Sequence, residues 1–250
     1  MTTIAIEHNA VEARQRKYAR IAGFMYLWLI VTDMAGTLTI SRIVGSGTFV
    51  ETAGRVAASE HWYRAALSSE LVESVSIVLL AFALFVTLKP VDKRLAQIAL
   101  YFKLGESFIS GVMMIFGFLT LRLYTSPQSL GAFAIVQTQA LVDLTGHATA
   151  DAFNIQAIFF SIGSTLFFFL FFQSRYIPRA LSASGVFASI CVAIVCFATL
   201  VFPEHAAALQ YGWAPIGVVE LISGFWLMIF AVKTQPDRLQ PSAQPAGSGN

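Results

Sequence analysis

The sequence predicts an all-α membrane protein, a bundle of six transmembrane helices, on three observations. Of the 250 residues, 56% are hydrophobic and only 12% charged, about half the charged fraction of a soluble domain, and the mean hydropathy is +0.69. The apolar residues fall in long runs, and a helix needs roughly 20 of them to cross the hydrocarbon core. The runs are continuous, as in IFFSIGSTLFFFLFF, whereas a β-barrel would alternate over segments of about ten residues. Helices are then the way to satisfy every backbone group in lipid.

Residues 1–18 are polar and form an N-terminal segment. The run that follows exceeds the roughly 7–15 residues of a signal-peptide core, so it reads as a first span. The spans are Ala19–Ile40, Arg64–Leu88, Leu95–Leu121, Ala152–Gln173, Ala180–Phe202 and Trp213–Val232, giving a transmembrane domain over 19–233. Trp62 and Trp213 fall near span boundaries, as interfacial tryptophans do. The first two outer connections, 41–63 and 122–151, have room for short amphipathic helices. Ala132 to Leu144 is too short to cross and is expected to lie on the interface or cap the bundle. The connection Pro203–Gly212 is short. The segment 234–250, rich in Pro, Ser, Gln and Gly, is expected to be a disordered tail. Cys191 and Cys196 share one span five positions apart and point in different directions, which disfavours a bridge.

Basic residues set the orientation. Arg14, Arg16, Lys17 and Arg20 precede the first span. Lys89, Lys93 and Arg94 follow the second, Arg175 and Arg179 the fourth, and Lys233 and Arg238 the sixth. Only Arg42, Arg55, Arg64 and Arg122 fall on the other face. The positive-inside rule then puts both termini in the cytoplasm. The three exits on that side share a pattern: LKPVDKRLA at 88–96, SRYIPRALS at 174–182 and VKTQPDRLQ at 232–240. Either the bundle is three repeated two-helix hairpins, or basic residues and proline simply recur after a span.

The stretch RKYARIAGFMYLWLI, the segment EHWYRAALSSELVESVSIVLLAFALFVTLKPVDKRLA and the span ALYFKLGESFISGVMMIFGFL resemble a bacterial membrane family catalogued as domain of unknown function 4386. The resemblance covers roughly residues 15–233. Its marks are Ala-Arg-Ile-Ala-Gly before the first span, an aromatic-Arg pair entering the second and Leu-x-Pro-Val leaving it. It implies a polytopic bacterial membrane protein and carries over no catalytic or binding residue.

The functional signal lies in ionisable residues within the spans, each costing about 2.5–3.5 kcal/mol or more at the membrane centre. They are Asp33, Glu70, Glu73, Lys103, Glu106 and Glu220. A rise of ~1.5 Å per residue places the five carboxylates between the midplane and the outer face. Lys103, Glu106, Ser107 and Ser110 share one helix face, as do Ser69, Glu73 and Ser76, then Asn154, Ser161 and Thr165, and Gly217, Glu220 and Gly224. Turned inward, these stripes would line one polar cavity open to the outside, with Lys103 as counter-charge. The plainer reading is that Lys103 and Glu106 pair along their own helix, and that Glu220 and the serines are packing contacts.

His61, His147 and His205 fall on or near the outer face, two of them after a glutamate. Imidazole with carboxylate suits zinc, but no HExxH or CxxC spacing supports a site, and neither metal nor cofactor is expected. P-loop, GxGxxG, GxSxG and kinase motifs are absent. A net charge of +2 argues against nucleic acid as a partner, leaving the lipid bilayer and a small-molecule or cation ligand. The acidic cavity points to a small-molecule or proton/ion-coupled transporter in the cytoplasmic membrane, although no clearly broken helix is legible. An integral membrane enzyme at the outer leaflet and a sensor or accessory subunit are the alternatives.

Overall fold

The computed structural model describes residues 2–125 and 135–232, and these are almost entirely helical. The helices are α1 (Thr2–Val44), α2 (Phe49–Ala58), α3 (Glu60–Leu88), α4 (Lys93–Thr125), α5 (Ile135–Ser174), α6 (Arg179–Val201), the single turn α7 (Ala206–Leu209) and α8 (Ala214–Phe230). Six segments are long and apolar enough to cross a membrane: α1, α3, α4, α5, α6, and α8 with the short turns before it. The six spans expected from composition are all present.

Two boundaries differ from expectation. The polar N-terminal segment is helical from Thr2 and runs unbroken into the first span. The separate surface helix expected at 132–144 is corrected: from Ile135 onward it forms the opening turns of the 40-residue α5, and 132–134 lie outside the described residues. No proline interrupts 135–174, and extending a helix adds one hydrogen bond per residue, whereas breaking it exposes backbone in lipid. Thr145 Oγ1 also accepts from Thr120 Oγ1 at 2.8 Å, fixing this part of α5 to α4. The expected tail at 234–250 likewise falls outside the described residues.

Each spanning helix packs on its neighbour in the chain, and α8 returns to α1, so the bundle closes as a ring in the order α1, α3, α4, α5, α6, α8. Neighbours run antiparallel. Between α1 and α3, Gln15 meets Thr87, Trp28 meets Ser76 and Gly36 meets Glu70. Between α3 and α4, Ser74 Oγ donates to the Ser107 carbonyl at 2.8 Å, and Ser107 Oγ donates to the Ser74 carbonyl at 2.6 Å. The ring is closed at Gly23 and Gly224. A Cβ on Gly23 would come within 2.5 Å of the Met228 nitrogen and 2.6 Å of the Gly224 carbonyl oxygen, so only a glycine lets the two backbones touch.

The two ends of the ring are finished differently. At the end carrying the basic residues, here the basic end, Gln15 Nε2 donates to the Thr87 carbonyl at 2.7 Å and the Tyr176 hydroxyl at 2.8 Å, tying α1 to α3 and to the α5–α6 turn. The α3–α4 and α5–α6 turns are tight, and each buries part of its pattern: Leu88 and Ala96 in one, Ile177 and Ser182 in the other. The third segment of the pattern lies outside the described residues beyond Val232. At the far end, α2 lies over the bundle and buries Val56 with Tyr63, Leu67, Met114 and Leu121. Its N-terminus carries a capping box between Thr48 and Glu51. Gly45, at φ +56°, ends α1. Arg55 then donates to the carbonyls of Ile43 and Val44, which the helix end leaves without partners, and to that of Ser46 in the turn beyond.

Candidate intramembrane acidic site

The ionisable span residues gather in two tiers. The inner tier is a buried ion pair, in which Lys103 Nζ lies 2.9 Å from Glu106 Oε2, both side chains almost fully enclosed. Three residues apart on α4, the two project from one helix face. The ammonium also lies 4.1 Å from the Phe160 ring centre, a cation–π contact from α5. Gly163 makes room for the lysine stem, since a Cβ there would meet Lys103 Cγ at 3.1 Å. Glu220 of α8 and Tyr26 of α1 complete the tier: Glu220 is within electrostatic reach of Lys103 and Glu106, and Tyr26 of both glutamates. Tyr26 is only 2% exposed.

Satisfaction in this tier is incomplete. Apart from its contact with Lys103, Glu106 Oε2 finds no partner, and neither do the buried Glu220 Oε1, Ser223 Oγ or Ser164 Oγ. Buried polar atoms are nearly always hydrogen-bonded, so Glu220 Oε1, buried and without a partner, has capacity for a proton, a cation or water.

The outer tier is Asp33 on α1 with Glu70 and Glu73 on α3. Asp33 is in electrostatic reach of both glutamates, and Glu73 is also in reach of Glu106, which links the tiers. Gly36 lets α1 approach this place closely: a Cβ on it would lie 2.8 Å from Glu70 Cγ and 3.1 Å from Ser69 Oγ. Thr37 hydrogen-bonds Asp33.

Burial changes along the helix faces that carry the tiers. Ala19, Ala22, Tyr26 and Asp33 follow one face of α1. The first three are buried and Asp33 is exposed. On α3, Ile77, Leu80, Ala81 and Leu84 are buried, while Glu70 and Glu73, nearer the far end, are half-buried. On α8, Gly224 packs against α1, Glu220 is half-buried, and Gly217 is exposed with open space around it. Along these faces the residues nearer the basic end are buried, whereas Asp33, Glu70, Glu73 and Gly217 nearer the far end are exposed or half-buried.

The serine stripes divide. Ser107 and Ser74 are consumed by the bonds joining α3 to α4. Ser76 accepts from Trp28 Nε1 at 3.2 Å and donates to the Val72 carbonyl, and Ser161 donates to the Ile158 carbonyl of its own helix. The histidines do not converge. Glu60 binds Arg64 at 2.7 Å, and His205 Nδ1 faces Glu204 at 3.3 Å on the surface. Among the described residues no three His, Cys, Asp or Glu side chains group as metal ligands do. Both cysteines are free thiols. Two members of the inner tier, Tyr26 and Phe160, carry no signal as functional residues in the sequence, because each sits inside an apolar run. The seven-residue spacing from Tyr26 to Asp33 was the one available clue.

A closed ring of six apolar helices around buried charge defines a polytopic integral membrane protein. The model of the family described as Domain of unknown function (DUF4386) matches residues 21–231, and the chain belongs to that family. No curated protein and no solved structure matches it.

Proposed function

We propose that this protein is a proton- or cation-coupled small-molecule transporter of the cytoplasmic membrane, with the basic end and both termini in the cytoplasm and an acidic vestibule at the far end facing outward. The observation that carries this reading is the buried, unpartnered Glu220 Oε1 beside the Lys103–Glu106 pair. A buried carboxylate without a partner is costly in a low-dielectric bundle unless it binds a proton or a cation. Among the described residues, five carboxylates face one ammonium group here, so the unbalanced charge favours cationic substrates. Asp33, Glu70 and Glu73 form the entry, and Glu106 and Glu220 are the coupling groups. Lys103 is the internal cation: pairing it with Glu106 leaves Glu220 to take the proton or the substrate, and a shift towards Glu220 frees Glu106. Binding at one carboxylate thereby changes the partner available to the other.

The test is uptake of ethidium, as a cationic probe, into proteoliposomes under an imposed pH gradient. Wild type is expected to move the dye in a gradient-dependent way, and Glu220→Gln or Glu106→Gln to lower the rate by about tenfold or more. A rate independent of the gradient, or unchanged in both variants, would exclude coupling through these groups.

A further inference from the structure

A cleft of about 370 Å³ at the basic end lies between α1 and α3 and is closed below by the α3–α4 turn. Its rim is Arg14, Lys89 and Lys93, and its walls include Val11, Phe82, Phe85 and Val86. Among the described residues no carboxylate lines it. Of the described acidic residues next to it in the sequence, Asp92 accepts from the Leu95 backbone N–H at 3.0 Å, and Glu12 pairs with Arg16. Arg14 stands over the Tyr18 ring at 5.9 Å, and Tyr18 meets Phe82 edge-on at 5.8 Å, so an aromatic stack holds the guanidinium at the rim. Gln15 forms part of the floor, its amide already donating to Thr87 and Tyr176.

We infer that this cleft is a binding site for one anionic phospholipid, with its phosphate held by Arg14, Lys89 and Lys93. The acyl chain has a defined path. Val86, Phe82, Leu79 and Val75 lie on one stripe of α3, running from the rim towards the middle of the span. Phe82, Leu79 and Val75 are 45%, 55% and 61% exposed. A headgroup site opening onto an apolar stripe at membrane depth suits a lipid, whereas a soluble anion or an acidic peptide would use the rim alone. Basic clefts between transmembrane helices bind anionic headgroups in this manner, and the volume lies within the roughly 300–1,000 Å³ of ligand pockets.

The test is native mass spectrometry of the full chain released from nanodiscs holding equal phosphatidylglycerol and phosphatidylcholine. Wild type is expected to retain phosphatidylglycerol preferentially. Lys89→Gln with Lys93→Gln is expected to reduce that preference by on the order of tenfold. Both lysines are exposed, so the fold should survive; Arg14→Gln gives an independent loss. Arg42→Gln with Arg122→Gln, an equal charge change at the far end, should leave the preference intact. Equal retention of both lipids by wild type, an undiminished preference in the lysine variant, or an equal loss in the far-end variant would overturn the proposal. Displacement of phosphatidylglycerol by excess inorganic phosphate would also overturn it, since the site would then read a free anion.

Discussion

The basic-end and far-end halves of the ring use the same helix faces for opposite ends. Towards the basic end those faces carry Ala19, Ala22, Leu84, Leu88, Phe167, Phe168 and Phe171, all buried in one core. Towards the far end they carry Asp33, Glu70, Glu73 and Gly217, none of them fully buried. Lys103, Glu106, Glu220 and Tyr26 sit where the two regimes meet. A side chain at Gly23 or Gly185 would collide with a neighbour within 2.5 Å; at the far end Gly212 is as tight, with Val195 Cγ2 at 2.5 Å, while Gly217 has open space. Transport as proposed requires that the charged tier be reached from the far end, past Asp33, Glu70 and Glu73.

The contrast makes graded predictions. The largest effect is expected at the inner tier: Lys103→Met leaves Glu106 and Glu220 without a cation and should cost about 3–5 kcal/mol in detergent unfolding. Adding Glu106→Leu to that variant should recover much of the loss, because a buried pair replaced whole costs far less than one left half-broken. Next comes Gly23→Ala, which must part α1 from α8 and should cost about 1–3 kcal/mol by the same measurement. Ser74→Ala and Ser107→Ala should each cost roughly 0.6 kcal/mol, the usual worth of a hydrogen bond between membrane helices. Asp33→Asn and Glu70→Gln should change stability by less than about 0.5 kcal/mol, as substitutions at accessible sites do, while lowering ethidium uptake. An outer-tier variant that destabilised as much as Lys103→Met would erase the distinction between the tiers.

The smallest effect concerns the cap over the far end. The backbone N–H of Thr48, donating at 2.9 Å, and then the Thr48 hydroxyl hold the Glu51 carboxyl below its ordinary range. A carboxyl depressed by folding stabilises above its unfolded pKa, and that contribution is lost as pH falls through the folded value. The protection of the first amides of α2, taken relative to their intrinsic exchange rate at each pH, should therefore fall on acidification. In Glu51→Gln that loss of protection should be absent.

Much of this architecture was legible because it follows from solvent. Six runs of sufficient length dictate six helices, and the spacing of Lys103, Glu106, Ser107 and Ser110 dictates a shared face. Which stripes meet was not legible, since that depends on where glycines allow helices to approach. Gly36 seats Glu70, Gly163 seats Lys103, and Gly23 with Gly224 brings α8 beside α1; in the sequence each is one glycine among 17. The continuity of α5 through Ile135 was missed for a related reason. A moderately amphipathic segment reads as interfacial until it is known that α4 extends far enough to pack beside it. Ser107 illustrates the limit from the other side, a residue with the spacing of a site stripe that the structure spends on joining two helices.

The most direct measurement is labelling of single cysteines by a membrane-impermeant thiol reagent, in a chain whose own thiols are removed by Cys191→Ser and Cys196→Ala. Cysteines introduced as Asp33→Cys and Gly217→Cys should react from the side opposite the basic end, and those introduced as Ser161→Cys and Leu84→Cys should stay unreactive. Uniform protection of all four positions, or labelling of Asp33→Cys from the basic side, would contradict an acidic vestibule that opens outward onto a sealed ion pair.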